Sequence, residues 1–396
     1  MSDGDDIGQR PDTWLAHAGR DRRHTGGAVN VPPYRSSTVL FESVAEFRDW
    51  SGGGDAFRYA RLGTPTSRAL ESAYAGVEGA AGAVVTGSGL AAASVALDAC
   101  VVPGDHLLIS EGAYEPTISF AREVLGRRGV DVELYPPCIG ADIASRVTAR
   151  TRVVFTESPS SLTFELQDLP AIARAARKAA GDGGALAIIT DNTWATGLLY
   201  RPLELGADVV VQAATKYIVG HSDAMLGLIA CSADTLHRIR RHAQLLGISA
   251  GPDDCWLGLR GLRTLRPRLD RHQATGLRLA EWLAARAEVT AVLHPGLESS
   301  PDHALWRRDF GGASGLFGFR LDPRFDDDAV CRMLDDMRLF GMGFSFGAFE
   351  SLLIPVQLPK WRGAQPPGAL LRLHAGLEDP ADLIADLEAG LQRLHR

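Results

Sequence analysis

The chain has 396 residues, 45% of them hydrophobic and 22% charged, and a formal net charge of −7. Those fractions exclude a disordered or fibrous protein, and a chain past roughly 250–300 residues usually splits into more than one domain. The acidic balance supplies no basic field for nucleic acid or anionic lipid, so neither partner is expected. No apolar run approaches the ~18–20 residues of a membrane span. The acidic opening, Met1-Ser-Asp-Gly-Asp-Asp6, carries no basic-then-apolar leader. A cytoplasmic location is the expectation.

Residues 1–66, rich in Gly, Pro and polar side chains, read as an extended arm with short helical pieces. From Thr66 to about Arg260, short apolar runs fall at 83–86, 106–110, 130–134, 152–156, 186–190, 208–212 and 225–231. Amphipathic stretches such as 90–100, 115–127 and 169–180 separate them. Apolar strands alternating with helices predict an α/β fold with a mostly parallel sheet flanked by helices on both faces. After Gly261 a long helical stretch, 265–287, leads to runs at 289–293, 315–321 and 370–374. A helix is predicted near 326–337, a Gly/Phe-rich loop at 341–347, and a last helix opening at Asp379-Pro380. This predicts three parts: an arm (1–66), a main domain (67–260) and a smaller α+β C-terminal domain (261–396).

Five cysteines (Cys100, Cys138, Cys231, Cys255 and Cys331) form no CxxC pair. Neither a disulfide framework nor a zinc site is expected, and they read as small buried apolar side chains. The 11 histidines show no metal-binding spacing, so no metal is expected. His221-Ser222-Asp223 looks like a triad in miniature, but consecutive side chains rarely converge as nucleophile, base and orienter; the segment reads as a turn.

Of 41 Lys and Arg, only Lys178, Lys216 and Lys360 are lysine. Arginine replaces lysine as a surface cation but cannot be deprotonated to form an imine. A lysine retained in such a chain is a candidate where the amine itself reacts, although genomic base composition alone can produce the same bias. Lys216 ends the run that begins at Asp208. Burial there favours the neutral amine, the form that attacks an aldehyde; the plain alternative is a side chain that snorkels out of the sheet edge. Lys178 suits a helix C-terminus, and Lys360 sits in a Pro-Lys-Trp loop.

Asp191 follows the apolar run 186–190, where a strand-terminal acid points into the ligand crevice. It can hold a pyridinium N–H, or simply cap a turn. Gly87-Ser88-Gly89-Leu90-Ala91-Ala92, between a strand and a helix, offers backbone amides to a phosphate. Read as GxGxxA, with Glu111 closing the next strand, it fits a dinucleotide equally well. The Asp191/Lys216 pair discriminates, because a dehydrogenase has no use for it. Tyr114 can lay its ring over a flat cofactor, or stand simply as a half-buried surface tyrosine. Arg58-Tyr59-Ala-Arg61 offers cations and a phenol to a phosphate, or forms a solvated basic turn, and Arg372, flanked by apolar residues, suits a carboxylate, either the protein's own or a substrate's.

These residues carry a resemblance over essentially the whole chain. Tyr59-Ala-Arg61-Leu-Gly63-Thr64, Ser88-Gly89-Leu90-Ala91, Ala113-Tyr114-Glu115-Pro116, Glu157-Ser158-Pro159 and Asp191-Asn192-Thr193-Trp194 stand in order. They continue with Gln212-Ala-Ala-Thr215-Lys216-Tyr217, Gly220-His221-Ser222-Asp223, Phe349-Glu350-Ser351-Leu352 and Arg372-Leu-His-Ala-Gly376-Leu-Glu378. The chain resembles the Cys/Met-metabolism family of pyridoxal 5'-phosphate enzymes, fold type I, and within it the bacterial cystathionine β-lyases.

The resemblance implies Lys216 as the cofactor's imine-forming lysine, Asp191 as partner of the pyridine nitrogen, and Tyr114 stacked on the ring. It implies that the Gly89 and Leu90 amides and Thr215 hold the phosphate. Tyr59 and Arg61 would reach the phosphate of the neighbouring subunit, so a homo-oligomer of at least two chains is implied, with tetramers built as pairs of dimers usual. Arg372 would clamp the α-carboxylate of a small amino-acid substrate, with Ser345 lining the site. Among the departures, Ala213 stands where many relatives have Ser, and Phe344 and Phe346 stand where β-lyases often have Tyr and Trp. The implied reaction is α,β-elimination of cystathionine; γ-lyase, γ-synthase and sulfhydrylase chemistry would use the same core residues.

Overall fold

The computed structural model describes residues 10–50, 57–181 and 185–396; the acidic opening at Met1 lies outside the described residues. The larger sheet contains β1 (Gly82–Thr86), β2 (His106–Ser110), β3 (Asp131–Tyr135), β4 (Thr151–Glu157), β5 (Ala187–Asp191), β6 (Val209–Gln212) and β7 (Gly227–Cys231). Their order is β1-β7-β6-β5-β4-β2-β3. From β6 across to β3 every neighbouring pair is parallel. Strand β7 alone runs against both its neighbours, β1 and β6.

Strands β2, β6 and β7 are buried along their whole length. Successive side chains point to opposite faces, and here both faces are core. Leu108, Val154, Ile188, Val210 and Leu228 enter one apolar cluster, while Ile109, Phe155, Ile189, Val211 and Ile229 enter the other. Burying such a side chain contributes roughly 1.5–3 kcal/mol, so neither face can be left to water. Helix Gly89–Asp98 covers one face through Ala92, Ala93, Val95, Ala96 and Leu97. Helices Pro65–Glu78 and Leu169–Ala180 cover the other, through residues such as Leu70, Tyr74, Leu169 and Ile172.

The smaller sheet is antiparallel and consists of β8 (Val289–Leu293), β9 (Leu316–Leu321), β10 (Leu352–Val356) and β11 (Leu370–His374), in the order β10-β11-β9-β8. Leu279 and Leu283 of helix Leu265–Ala284, Met333 of helix Asp327–Asp335 and Leu387 of helix Pro380–Arg393 close a third cluster over it. Asp379 caps the last of these by accepting the Ala381 amide at 2.8 Å, with Pro380 at the first helical position.

Several expectations need correcting. Strand β10 carries little strand signal in the sequence because Pro355 interrupts its apolar run; the proline is tolerated because β10 is an edge strand. The stretch 115–127 is not one α-helix. It begins as α over Glu115–Phe120, widens to a π-turn over Ala121–Leu125 and tightens to 3-10 geometry at Gly126–Arg128. Cys100, Cys231 and Cys255 are buried, but Cys138 and Cys331 are exposed.

The reversal of β7 brings its first residue beneath the start of helix Gly89–Asp98. A Cβ added at Gly227 would run into the Ser88 carbonyl oxygen and the Thr86 hydroxyl. Gly227→Ala is therefore expected to destabilise the chain by about 1–3 kcal/mol, seen as a lower thermal midpoint, and to weaken whatever the Ser88–Leu90 turn binds. An unchanged midpoint would contradict this close packing.

Candidate functional site

Strands β4, β5 and β6 end at one edge of the sheet, in Glu157, Asp191 and Gln212. Ligands of such sheets bind outside the carboxyl ends of the strands. Lys216 lies there, one turn beyond β6 rather than at its end. Its amide donates to the Ala213 carbonyl at 3.0 Å, and its own carbonyl accepts the Gly220 amide at 2.8 Å. The turn is fastened to the start of β7: the Thr215 hydroxyl accepts the Leu226 amide at 2.9 Å and donates to the Leu226 carbonyl at 3.2 Å. That hydroxyl's single proton is thus directed at a protein carbonyl, and it must rotate to serve a phosphate.

Lys216 does not snorkel into solvent. Its Nζ donates to Ser345 Oγ at 2.7 Å and lies 4.9 Å from the centre of the Phe346 ring. Burial lowers its pKa to about 8; the Arg372 charge lowers it too, and Asp191 opposes both. Lys178 and Lys360 are exposed. Of the three lysines, only the one at this crevice is drawn out of solvent.

Asp191 accepts the Thr193 amide through Oδ1 at 2.8 Å, and Thr193 Oγ1 in turn accepts the Ala213 amide at 2.8 Å. The acid and the lysine turn are therefore tied together by a single threonine. Desolvation raises the Asp191 pKa, and the Lys216 charge pulls it back. Beside it in the sheet is Glu157, whose pKa is pushed well up by burial and by the Asp191 charge. Glu157 Oε2 accepts the Tyr114 amide at 2.7 Å. Tyr114 itself is 47% exposed, at the start of helix Glu115–Phe120.

Helix Gly89–Asp98 opens at the same edge. Ser88 caps it by accepting the Ala91 amide at 3.1 Å, and the Gly89 and Leu90 amides precede the first intrahelical bond. Such a helix start attracts an anion. Gly89 packs directly on the Ala213 methyl, which leaves no room for a Cβ. Glu111, the acid that kept the dinucleotide alternative open, is instead ion-paired to Arg362 at 3.2 Å.

The smaller sheet supplies the other wall. Arg372, on β11, donates to the Ser345 carbonyl at 3.3 Å. Ser345 adopts φ +92°, a left-handed conformation that is costly for a side chain and recurs where surrounding structure holds a functional residue in place. The two phenylalanines separate here. Phe346 packs against Tyr217 with ring centres 5.8 Å apart, whereas Phe344 is 91% exposed.

The structure thus joins Lys216, Asp191, Tyr114, Thr215, Gly89, Leu90, Ser345, Phe346 and Arg372 around one crevice. Tyr59 and Arg61 are not joined to it: among the described residues, no hydrogen bond, ion pair or ring contact links them to Lys216, Asp191, Tyr114 or Arg372. Arg61 donates to the Gln244 carbonyl at 2.9 Å and lies 5.5 Å from the Tyr59 ring centre. Sequence reasoning gave no role to Glu157 or Thr193. The strand-terminal rule that picked out Asp191 also fits Glu157, which closes the run 152–156. No group of three or more His, Cys, Asp or Glu side chains that could hold a metal occurs among the described residues, and no helix among them is long and apolar enough to cross a membrane.

A primary amine with a lowered pKa, an acid for a ring nitrogen, helix-start amides for a phosphate and an arginine for a carboxylate fit a pyridoxal-phosphate site acting on amino acids. The chain belongs to the family of Cys/Met metabolism PLP-dependent enzymes, whose pattern it matches over residues 12–392. It is 42% identical to the cystathionine β-lyase MetC of Escherichia coli K12 over 97% of this chain and 98% of that protein. With the cystathionine β-lyase of Salmonella typhimurium the identity is 41%, over 97% and 98%. Among solved structures, cystathionine γ-synthase from Xanthomonas oryzae, in complex with aminoacrylate and cysteine, superposes with a TM-score of 0.88 at 32% identity, over 98% of this chain and 99% of that one.

The lowered pKa of Lys216 has a measurable consequence. Only the neutral amine attacks an aldehyde, so the rate at which the cofactor-free chain captures pyridoxal phosphate should rise with pH and level off above about 8. In Arg372→Leu the neighbouring positive charge is gone, the ammonium is less disfavoured, and the midpoint should move to higher pH. A midpoint unchanged by that substitution would remove Arg372 as a cause.

Proposed function

We propose that this chain catalyses α,β-elimination of L-cystathionine, releasing homocysteine, pyruvate and ammonia. The observation that carries the reading is the Lys216 amine, held at 2.7 Å by Ser345 and drawn towards its neutral form while Asp191 lies across the same crevice. The β-lyases among its relatives support the choice of reaction.

Lys216 would bind the pyridoxal aldehyde, Asp191 the ring nitrogen, Tyr114 one ring face, and the Gly89 and Leu90 amides with Thr215 the phosphate. The bound cofactor supplies an electron sink for charge left at the substrate Cα. Arg372 fixes the α-carboxylate. The Lys216 amine takes the Cα proton, as a positioned base whose effect is typically ~10²–10⁴ in rate. Ser345 sets the direction of that amine and anchors Arg372 through its carbonyl. Phe346 keeps water from the inner side of the amine, while Phe344 stands where a distal substrate group passes. Loss of the thiolate from Cβ, which takes up a proton as homocysteine, completes the elimination, and water hydrolyses the released 2-aminoacrylate to pyruvate and ammonia.

Tyr59 and Arg61 serve the phosphate of a neighbouring subunit in this reading, which makes the working unit a homodimer or a tetramer built from two. We place the protein in the cytoplasm and the domain boundaries after residues 66 and 260. A second reading, γ-chemistry on the same substrate, has support in the likeness to the Xanthomonas γ-synthase. It would give 2-oxobutyrate from cystathionine in place of pyruvate.

Purified protein incubated with cystathionine is expected to yield pyruvate and homocysteine in equal amounts; 2-oxobutyrate as the keto acid would favour the second reading. Lys216→Arg retains a cation but cannot form the imine, so it should lose both the visible absorbance of bound cofactor and turnover. Asp191→Ala should reduce kcat by at least ~10²-fold even with saturating cofactor. Full activity in that variant would refute the role given to the acid.

A further inference from the structure

His374 ends β11 two residues beyond Arg372 and is 1% exposed. Its Nε2 lies 3.0 Å from the Gly347 amide nitrogen. The Ala348 carbonyl oxygen lies 3.2 Å from the same nitrogen, so Nε2 can accept the Gly347 amide with the ring proton on Nδ1, or donate to Ala348 with Nδ1 bare; the shorter contact, to Gly347, favours the first form. That Nδ1 is buried and has no partner. His272, from helix Leu265–Ala284, presents the opposite case. Its Nδ1 is 2.8 Å from the Ala375 carbonyl, which can only accept, so Nδ1 is protonated and Nε2 is bare. His272 Nε2 is also buried without a partner. The two rings lie 5.1 Å apart, centre to centre, and with His374 in the Nδ1–H form one donor and one acceptor remain between them.

The amide that His374 holds belongs to a tightly constrained loop. Gly347 has φ +84°, and a Cβ there would lie 2.8 Å from the Tyr217 amide nitrogen and 3.0 Å from the Lys216 carbonyl carbon. The loop thus rests on the backbone of the lysine turn. Two residues before it, Ser345 reaches Lys216 Nζ through its hydroxyl and Arg372 through its carbonyl. The Phe346 ring, between them in sequence, lies 6.4 Å from His374 and 5.8 Å from Tyr217.

We propose that His374, backed by His272, is a positioning residue for the reaction: its unprotonated Nε2 pins the Gly347 amide and so fixes the Ser345 hydroxyl on the Lys216 amine. The ring must be neutral for this. Burial holds its pKa well below the usual range, reinforced by His272, Arg372 and Lys216 and opposed by the Ala348 carbonyl. His272 is held down to about 4, by burial first and by Arg268 second. Tyr217, packed against both rings, contributes no charge to oppose them.

The inference rests on the reaction proposed above for its kinetic arm alone. The holoenzyme is compared as wild type, His374→Phe and His374→Gln. Phenylalanine keeps an aromatic ring against Tyr217 and Phe346 but removes the acceptor; glutamine restores an acceptor at similar reach. His374→Phe is expected to bind cofactor stoichiometrically, to lose about 10–100-fold in kcat on cystathionine, and to move the pH midpoint of the bound cofactor's visible absorbance by about half a unit or more. His374→Gln should recover most of both. In the wild type, ¹⁵N NMR at neutral pH should show His374 as the Nδ1–H tautomer.

A protonated Nε2 in the wild type would overturn the proposal. So would a kcat and an absorbance midpoint left unmoved in His374→Phe, or equal losses in the two variants. Should His374→Phe fail to fold, the tautomer and the glutamine variant still decide. Wild-type protein inactive on cystathionine would fault the reaction and not His374, because the tautomer and the absorbance midpoint do not depend on the substrate.

Discussion

The contact between Lys216 Nζ and Ser345 Oγ is where the two sheets meet chemically. One partner sits on a turn fastened to β6 and β7 of the larger sheet; the other sits on a left-handed loop ahead of β10. An amine shared in this way is largely withdrawn from bulk water. Its charge is therefore disfavoured without a neighbouring base to take its proton, and desolvation is the largest cause of its lowered pKa. The acid at Asp191 and the arginine at Arg372 act on it in opposite senses. The larger sheet supplies the acid that draws charge in, and the smaller one supplies the cation that pushes it away.

Much of this was legible in the sequence, for identifiable reasons. Strands buried on both faces leave unbroken apolar runs, so β2, β4, β5 and β7 were read within a residue or two of their ends. The helix Leu169–Ala180 was read whole because Gly181 closes it in a positive-φ conformation. Lys216 and Asp191 stood out because only particular side-chain types can do their chemistry. The helix Pro65–Glu78 carried a readable start too, Thr64 capping ahead of Pro65, and a readable stop at Gly79. Its signal is masked because its first turn overlaps the polar arm.

What stayed hidden depends on backbone groups and on the direction of side chains. Glu157 and His374 act through the amides of Tyr114 and Gly347, and an amide has no letter in a sequence. Phe344 and Phe346 looked equivalent until the left-handed turn at Ser345 sent one outward and kept the other beneath the amine. The π-turn after Phe120 shifts the register of a helix whose composition gives no sign of it.

The unequal exposure of the reactive side chains bears on how this molecule can be attached to anything. Coupling through amines would put Lys216, the amine proposed above to form the imine, among only three lysine targets, so immobilisation or dye labelling by that route endangers it. Thiol chemistry is the safer handle. Cys138 and Cys331 lie open on the outside while the other three sulfurs are shut in the interior, so a maleimide can find the surface and leave the crevice untouched.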